Sequence, residues 1–310
     1  MLLKRYRDYN TYLREIFGER VQKIPLDAGF SCPNRDGTIS SQGCIYCDSR
    51  GSGTGAMIDR GLGIEEQIAE GKEFAGKRYN ARKFIAYFQS FTNTYAPLSQ
   101  LNDIYQTALN HKGMAGLSVG TRPDCVDDDV LSLLSSFKKD YIVWIEYGLQ
   151  SAHDITLSKI NRGHDVACFE KAVLMAKKHD LEICAHVILG LPGEDHEMMM
   201  DTARFIASLP ITGVKIHSLY VTRGTVMADL YKNGDYACLS REEYVETLID
   251  FLEVLPPEMI VQRITGDAKA SELIAPLWVL EKPRNIGMIN KRMEERDTWQ
   301  GKKHIQSIAA

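Results

Sequence analysis

Short apolar runs recur along the chain, and amphipathic stretches separate them. Apolar runs of this length, bounded by polar positions, predict buried strands at 20–26, 84–88, 115–119, 141–146, 181–189 and 213–217. Apolar positions at helical spacing, some with start signals, predict helices at 64–78, 98–110, 127–138, 165–179, 195–208 and 240–254. A helix at 5–17 precedes this series, and a last strand is predicted at 259–264.

Strands that are separated by single helices predict a parallel sheet, because a crossover helix is the usual way to join parallel neighbours. About six such units fit between residues 20 and 255. We therefore expect an α/β fold, a partial (β/α)6 TIM-like barrel. In this interpretation residues 1–19 form an N-terminal helix, 20–255 form the barrel core, and 256–310 form a C-terminal extension that caps the barrel.

Polar residues concentrate where the predicted strands end. The segment 28–55 follows the first strand and is a long loop rich in Gly, Ser and Asn, and such loops are usually functional or disordered. Polar residues also follow later strands, at Gln89, Asn93, Arg122, Glu146, Gln150, His186, Glu194 and His217. Active sites of parallel α/β folds lie at the carboxyl ends of strands, so we expect the site at this end.

The composition narrows the class of protein. With 44% hydrophobic and 25% charged residues, the chain has the balance of a globular protein. Its net charge of −4 argues against a protein that mainly coats nucleic acid, although a local basic face stays open. We expect no membrane span, because no run of about 18 apolar residues occurs. The charged start lacks the apolar core of a signal peptide, and the odd, irregularly spaced cysteines predict the reducing cytoplasm.

Three of the seven cysteines, Cys32, Cys44 and Cys47, lie in the long polar loop. A Cys-x-x-Cys pair with one outlier is typical of a metal centre, because thiolates favour iron–sulfur clusters and zinc. Three ligands leave one coordination position for a group that is not protein, unless a histidine completes a zinc site. The other thiols are interpreted as buried or incidental, with a second cluster as the alternative: Cys125, Cys168, Cys184 and Cys238.

These residues resemble the radical S-adenosylmethionine (SAM) superfamily, whose signature is Cys-x3-Cys-x2-Cys with an aromatic before the third cysteine. Tyr46 holds the aromatic position, and the first gap is widened to eleven residues. A wide gap is typical of the branch that contains the Elongator catalytic subunit and the bacterial YhcC-like group. Four motifs resemble that branch, at 121–124, 146–151, 161–164 and 190–194, and two tail motifs resemble the YhcC-like group, at 261–263 and 297–301.

The resemblance implies a cofactor pair and an activity. Three thiolates would hold three irons of a [4Fe–4S] cluster, and the fourth iron would bind the amino and carboxylate groups of SAM. Reductive cleavage of SAM would yield methionine and a 5′-deoxyadenosyl radical that abstracts hydrogen from an unidentified substrate, a small molecule or RNA. An external electron donor such as flavodoxin or ferredoxin is implied. No catalytic residue is assigned beyond these ligands.

Candidate SAM contacts follow from similarity to coproporphyrinogen dehydrogenases. Gln150 matches a glutamine that holds the ribose, and Arg162, twelve residues later, matches an arginine that holds the methionine carboxylate. The backbone at 187–190 matches the segment that meets adenine, and His186 stands where those relatives use an acid. The glycine-rich turn that usually receives the methionine amine is absent, so an acceptor is expected from Gln89, Ser90 or Thr92.

Several assignments keep an alternative. Glu146 is assigned to cofactor binding, with a partner role inside the sheet as its alternative. His217 and Tyr220 are either packing residues or substrate contacts, and Arg263 is either a salt-bridge residue or part of the site. We expect Trp278 and Trp299 to anchor the C-terminal cap, and the basic tail to be a solvated surface rather than an RNA-facing patch.

Besides a radical SAM enzyme with an unidentified substrate, two other functions remain open. The second is a tRNA-modifying radical SAM enzyme of the Elongator type. The third is a non-catalytic zinc or iron–sulfur protein that serves as a scaffold or an electron carrier.

Overall fold

The computed structural model describes residues 4–48, 51 and 61–304. Parts of three predicted segments lie outside the described residues. They are residues 1–3 of the N-terminal segment, residues 49–50 and 52–55 of the long polar loop, and residues 305–310 of the C-terminal extension. The described residues form nine strands: β1 (Val21–Leu26), β2 (Lys83–Phe88), β3 (Met114–Thr121), β4 (Ile142–Gln150), β5 (Glu182–Leu189), β6 (Gly213–Ser218), β7 (Val221–Thr222), β8 (Ile260–Arg263) and β9 (Leu273–Ala275).

The same part of the chain contains ten α-helices: α1 (Tyr9–Phe17), α2 (Ile64–Tyr79), α3 (Leu98–Leu109), α4 (Asp128–Ser136), α5 (Asp154–Lys159), α6 (Val166–Lys178), α7 (His196–Ala207), α8 (Val226–Asn233), α9 (Arg241–Val254) and α10 (Lys282–Glu295). Side chains of the N-cap residues Asp8, Asp127, Asp165, Asp195, Thr225 and Ser240 accept backbone N–H bonds at helix starts. None of the described helices has both the length and the hydropathy that a bilayer span requires.

A curled parallel sheet organises the fold. Seven strands pair in parallel in the order β1-β2-β3-β4-β5-β6-β8, while β7 and β9 form a separate antiparallel pair. The predicted α/β partial barrel is therefore confirmed. The strand predicted at 259–264 is β8, so the segment that we assigned to the C-terminal extension also supplies the seventh strand of the sheet.

Alternating side chains along β4 show how the sheet separates its two faces. Val143, Ile145 and Tyr147 belong to the large apolar core that includes residues of the surrounding helices. Trp144 points the other way and packs with Cys184 of β5 and with Ile260, next to the tyrosines of α1. Since these tyrosines stack edge-on against Trp144, α1 closes the amino-terminal end of the barrel interior. The carboxyl-terminal end stays open for a site.

The structure adds elements that the periodicity did not predict. Helices α5 and α8 are six and eight residues long, too short to show a clear helical repeat. One expectation for the C-terminal segment is wrong: Trp299 is 48% exposed and packs against the ammonium of Lys302 rather than into a core. Trp278 does anchor the segment, since its ring contacts Tyr244 and its Nε1–H donates to the Leu239 carbonyl at 3.1 Å.

Candidate functional site

A cavity opens at the carboxyl-terminal end of the barrel and has a volume of about 1350 Å³, including its open mouth. All nine residues that the sequence analysis assigned to cluster or cofactor binding line it: Cys32, Cys44, Tyr46, Cys47, Gln89, Glu146, Gln150, Arg162 and His186. Their convergence follows from the parallel sheet, because the carboxyl ends of its strands all face the same side. His217, Tyr220 and Arg263 line the same cavity.

Up to residue 48, where the structure describes it, the cysteine loop that follows β1 is a series of tight turns. The Cys32 carbonyl accepts the Arg35 N–H at 2.8 Å, and the Cys44 carbonyl accepts the Cys47 N–H at 3.0 Å. Gly43 has a φ of 71°, in the left-handed region that glycine adopts without strain, and its N–H donates to the Asn34 carbonyl at 2.7 Å. The three cysteines are free thiols, so each sulfur is available as a ligand.

A segment after α5 holds this loop from the side. The Ile45 N–H donates to the Ile160 carbonyl at 3.1 Å, and the Asn161 side chain donates to the Gly43 carbonyl at 2.7 Å. In return the Asn34 side chain donates to the Asn161 carbonyl at 2.6 Å. The motif at 161–164 therefore acts on the cysteine loop through hydrogen bonds in both directions.

Two donors approach the sulfur of Cys44. Asn34 Nδ2 lies 3.6 Å from Cys44 Sγ, and Arg162 Nη1 lies 3.7 Å from it. The Arg122 guanidinium pairs with Asp124 at 2.8 Å and donates to the Arg162 carbonyl at 2.7 Å, which fixes the backbone beneath this arginine. N–H donors of this kind stabilise thiolate sulfur, and hydrogen bonds to sulfur are one means by which proteins tune iron–sulfur clusters.

The protonation of the third cysteine depends on whether a metal is bound. Burial, reinforced by the neighbouring Cys44, raises the pKa of the Cys47 thiol to about 12. Metal coordination reverses this preference, because a ligating thiol is deprotonated by the cation. The donors around the loop fit an iron–sulfur cluster on these cysteines.

The spacing of possible ligands argues against a single zinc ion on the cysteine loop. Among the described residues, the one set of three ligands whose donor atoms lie within 4.8 Å of one another is Glu146, Cys184 and His186. The loop cysteines form no such set. A tetrahedral zinc with Zn–S bonds of about 2.3 Å would bring thiolates to within roughly 4 Å of one another. The three sulfurs are thus not all as close to one another as a single tetrahedral zinc ion requires.

Glu146 and His186 also belong to an ion-pair network with two lysines. We call this network the floor cluster, and its members are Lys23, Glu146, His186 and Lys215. Glu146 Oε1 accepts from Lys23 Nζ at 2.5 Å and from the Ser118 hydroxyl. Its Oε2 accepts from His186 Nε2 at 2.7 Å and from Lys215 Nζ. The two ammonium groups outweigh the cost of burial and hold the pKa of Glu146 well below 4.5. A metal cation here would have to displace both lysines.

Gln150 occupies an unusual backbone position at the end of β4. Its φ of 77° lies in the left-handed region, which non-glycine residues seldom adopt, and the pairing of β4 with β5 shifts register here. Such conformations persist where the surrounding structure enforces them, and they cluster at functional sites. The side chain of the proposed ribose ligand thereby lines the cavity.

Lys23 and Lys215 were not predicted as site residues, and three predicted polar residues lie outside the cavity lining, namely Ser90, Asn93 and Glu194. Asn93 donates from its side chain to the Gly120 carbonyl at 2.8 Å, and Glu194 accepts from the Ser151 hydroxyl. A usable signal for the lysines existed, because each interrupts a predicted buried strand with a charge. Alternation places such a residue inside the barrel, where a charge needs partners.

Comparison with known proteins identifies the class. The radical SAM superfamily profile matches residues 36–206, and the profile of the radical SAM C-terminal domain matches residues 211–295. The chain therefore belongs to the radical SAM superfamily. The fold and the superfamily assignment predicted from sequence are confirmed.

Particular relatives place the chain within this class. It is 43% identical to protein YtqA of Bacillus subtilis over 299 residues, covering 96% of this chain and 92% of YtqA. Protein YhcC of Escherichia coli is 40% identical over 263 residues, 84% of each chain. A tRNA uridine(34) acetyltransferase of Methanocaldococcus jannaschii is 29% identical over 203 residues, 64% of this chain and 36% of that protein.

A solved structure shares the fold. Elp3 of Methanocaldococcus infernus superposes with a TM-score of 0.69 and 18% identity, covering 90% of this chain and 64% of that chain. The predicted similarity to the YhcC-like group and the more distant similarity to the Elongator branch are both confirmed.

Proposed function

We propose that this protein is a radical SAM enzyme in which Cys32, Cys44 and Cys47 hold a [4Fe–4S] cluster. When bound, the cluster and SAM supply the chemistry of reductive SAM cleavage, giving methionine and a 5′-deoxyadenosyl radical that takes hydrogen from the substrate. The observation that carries the proposal is the meeting of three free cysteines, Arg162 and Gln150 in one cavity of a superfamily member.

The chain's own residues position SAM in this proposal. Arg162 is buried beside Cys44 and binds the methionine carboxylate, for which a guanidinium offers paired donors. Gln150 binds the ribose, and the backbone at 187–190 meets adenine. Gln89 and Tyr46, which also line the cavity, contact the amine and the cluster environment. Burial raises the pKa of Tyr46, which keeps its hydroxyl protonated.

Glu146 and His186 act together in this proposal. Four protein donors already occupy the two oxygens of Glu146, about the full acceptor capacity of a carboxylate. Glu146 therefore supports the cofactor through His186, whose ring faces the cavity. Burial, reinforced by Lys215, lowers the pKa of His186 to about 4, so the ring is neutral. A neutral ring that donates from Nε2 leaves Nδ1 as an acceptor.

Anaerobic reconstitution with iron and sulfide tests the proposal. We expect a brown protein with about four irons per chain, whose reduced form converts SAM into 5′-deoxyadenosine. Dithionite serves as the chemical reductant in this assay, and reduced flavodoxin or ferredoxin should support the same conversion in its place. Arg162→Ala should weaken SAM binding and spare the iron, while Cys44→Ala should lose the iron. A colourless protein with one zinc would overturn the proposal in favour of a scaffold.

A tRNA substrate is the second candidate. It is favoured by similarity to proteins named tRNA uridine(34) acetyltransferases, one of which aligns with 64% of this chain. The test is binding of bulk tRNA to the reconstituted protein across a salt series. Affinity that falls steeply with salt, together with deuterium transfer from labelled tRNA into 5′-deoxyadenosine, is expected if the substrate is tRNA. Transfer from a small metabolite alone would exclude this candidate.

A further inference from the structure

The floor of the cavity carries more positive than negative charge. Among the described residues that line the cavity, Glu146 is the one buried carboxylate, and it is 1% exposed. Two ammonium groups, of Lys23 and Lys215, bind this single carboxylate. Burial of unpaired charge is costly, so a surplus cation in such a place needs an explanation.

Lys215 is the member of the pair that faces the cavity. It is 4% exposed and lines the cavity wall, whereas Lys23 lies beneath Glu146, with its ammonium 4.7 Å from the ring centre of Tyr9 of α1. Lys215 Nζ donates to Glu146 and, at 2.8 Å, to the Tyr87 hydroxyl. An ammonium has three N–H donors, so one is left for a ligand.

Neighbouring titratable groups do not offset the surplus. Burial, reinforced by Arg263, lowers the pKa of His217 well below its usual value, so this ring is neutral like that of His186. Burial, reinforced by Glu146, raises the pKa values of Tyr87 and Cys184, so both stay protonated.

At the edge of the floor, Arg263 and Lys282 share the carboxylate of Asp267, so no negative charge is left over there for the floor cluster. Arg263 lines the cavity, and its guanidinium lies 3.5 Å from the half-exposed carboxylate of Asp267. Within the floor cluster itself, two ammonium groups on one carboxylate leave a surplus of one positive charge when Lys215 is protonated. Burial, opposed by Glu146 and reinforced by Lys23, lowers the pKa of Lys215 to about 7, as expected for a cation that lacks a counter-charge of its own.

Two residues around the cavity and the floor cluster carry buried polar atoms without partners, one in the cavity wall and one bonded to Lys23. Ser218 is 3% exposed and lines the cavity, and its hydroxyl has no hydrogen-bond partner among the described residues. The Nε2 of Gln262 is likewise unpartnered there, although its Oε1 accepts from Lys23 at 2.7 Å. Buried polar atoms nearly always have partners, so these donors are consistent with a ligand that supplies acceptor oxygens.

We infer that the floor cluster binds a carboxylate of the substrate, with Lys215 as its counter-charge and Ser218 as a hydrogen-bond donor. The inference rests on the proposed function, because it concerns the substrate that shares the cavity with SAM. A carboxylate brings one negative charge, which matches the surplus, while a phosphate monoester brings about 1.5 to 2. Lys215 is thus a specificity-determining residue, and no covalent step is assigned to it.

SAM itself carries a carboxylate, and the position of Arg162 distinguishes the binding site of that carboxylate from the site proposed for the substrate carboxylate. Arg162 lies beside Cys44, whereas Lys215 lies on the floor next to His186 in the pairing of β5 with β6. Each cation therefore has its own carboxylate in this arrangement. Measuring both affinities in the same variants tests the division.

The experiment compares acetate with acetamide, which has the same shape and no charge, on reconstituted protein saturated with SAM. Ligand-observed NMR suits such weak probes. We expect acetate to bind and acetamide not to bind. Lys215→Met should weaken acetate binding about tenfold or more, the loss expected for a charged hydrogen bond. Lys291→Met, at an exposed lysine paired with Glu295, is the matched control.

A second variant guards against misfolding of Lys215→Met. Ser218→Ala removes one unpartnered hydroxyl and leaves every assigned hydrogen bond of the floor cluster in place. It should weaken acetate binding about threefold to tenfold. SAM affinity, measured separately by calorimetry, should be unchanged in Ser218→Ala.

Each other result overturns the inference. Equal binding of acetate and acetamide, or an unaltered acetate affinity in both variants, would show that the floor does not select an anion. Phosphate binding tighter than acetate would make the carboxylate assignment wrong. Loss of SAM affinity in Ser218→Ala would mean that the floor binds the SAM carboxylate and not one of the substrate. Failure of the proposed function would appear differently, as missing iron or missing 5′-deoxyadenosine in the unmodified protein.

Discussion

At the scale of single residues, the missing side chain of Gly148 controls two proposed SAM ligands. A Cβ at this position would lie 2.5 Å from Gln150 Nε2 and 2.6 Å from Arg162 Nη2. Both side chains therefore lie directly over the glycine, and Arg162 also donates to the Gly148 carbonyl at 2.8 Å. The atoms that a Cβ would displace are the ends of flexible side chains, so a substitution would move the ligands and not the sheet.

We predict that Gly148→Ala weakens SAM binding about tenfold, because the displaced guanidinium loses its charge-assisted contact. Iron content should stay at the level of the unmodified protein. Calorimetric SAM titration and iron assay measure the two effects. Gly287→Ala in α10 is the control, since no atom lies within 4 Å of a Cβ there. An unchanged SAM affinity in Gly148→Ala would refute the assigned position of Arg162.

The floor cluster predicts a large effect of neutralising Glu146. Glu146→Gln leaves the ammonium groups of Lys23 and Lys215 buried without their shared counter-charge. Removal of one partner from a buried ion pair typically costs about 3–5 kcal/mol in the free energy of unfolding, which urea denaturation can measure. Glu73→Gln, at an exposed ion pair with Lys77, should leave the unfolding midpoint unaltered. Equal effects of the two substitutions would contradict the ion-pair account.

The same cluster sets the sign of a pH dependence. The folded-state pKa of Glu146 is lowered, so its stabilising contribution is complete above about pH 4.5 and is lost as pH falls through that lowered value. The stability difference between the unmodified protein and Glu146→Gln should therefore be largest at neutral pH and shrink on acidification. Urea unfolding at pH 7 and at successively lower pH values measures this difference. A difference that grows on acidification would be inconsistent with a lowered pKa.

At the scale of elements, the cysteine loop takes its shape from a segment more than a hundred residues away. The side chain of Asn161 donates to the Gly43 carbonyl, and the Ile160 carbonyl accepts from Ile45. Residue 161 has a φ of 52°, which asparagine and glycine tolerate. The hydrogen bonds of the side chain can therefore be removed without straining the backbone.

Asn161→Gly should loosen the cysteine loop. We expect the reconstituted variant to lose iron to a chelator about tenfold faster, the order of effect seen when outer-shell partners of metal ligands are removed. Asn80→Gly changes the same residue type at a similar φ of 51°, at the end of α2 outside the cavity lining, and should not alter iron loss. Identical iron loss in both variants would show that the segment after α5 does not support the loop.

Most of the sheet could be predicted from sequence, and the cysteines could be proposed as cluster ligands, because both leave local signals. The strands and long helices have clear periodicity, and the cysteines lie within sixteen positions of one another. The floor cluster joins residues of β1, β4, β5 and β6, so its pairing depends on strand register, which periodicity does not specify. Helices α5 and α8 and the β7–β9 pair were too short to be predicted.

At the scale of the whole molecule, the basic residues of the C-terminal segment have neighbours that satisfy them. Arg292 pairs with Glu246 at 2.5 Å and Lys303 pairs with Glu253, both of α9. The others pair with acidic residues or lie against the Trp299 ring, namely Lys282, Arg284, Lys291 and Lys302. This favours the solvated ion-paired surface over an RNA-facing patch, so a tRNA substrate would have to be recognised mainly elsewhere.

The two ends of the described chain meet beside the seventh strand, and Gln300 joins them. Its Oε1 accepts the Arg7 N–H at 2.9 Å, and its Nε2 donates to the carbonyls of Pro256 and Met259 at 2.6 and 2.7 Å. The residue is 4% exposed, so these backbone groups have little access to water as a substitute partner. The contacts tie the start of α1 to the residues that lead into β8.

Gln300→Ala should therefore destabilise the sheet at its β8 edge. Leaving buried backbone groups without partners costs about 1–3 kcal/mol, which urea unfolding would show as a lower midpoint. Gln106→Ala, which removes an exposed side-chain bond to Asn102 in α3, should leave the midpoint unchanged. Arg263 of β8 lines the cavity. The loss of stability at this edge should therefore also lower the rate of SAM cleavage when the assay temperature approaches the unfolding temperature of the variant. If the two variants unfold alike, the Gln300 side chain does not hold the seventh strand, which then depends on its pairing with β6 and on the Val261 N–H bond to the Arg7 carbonyl at 2.8 Å.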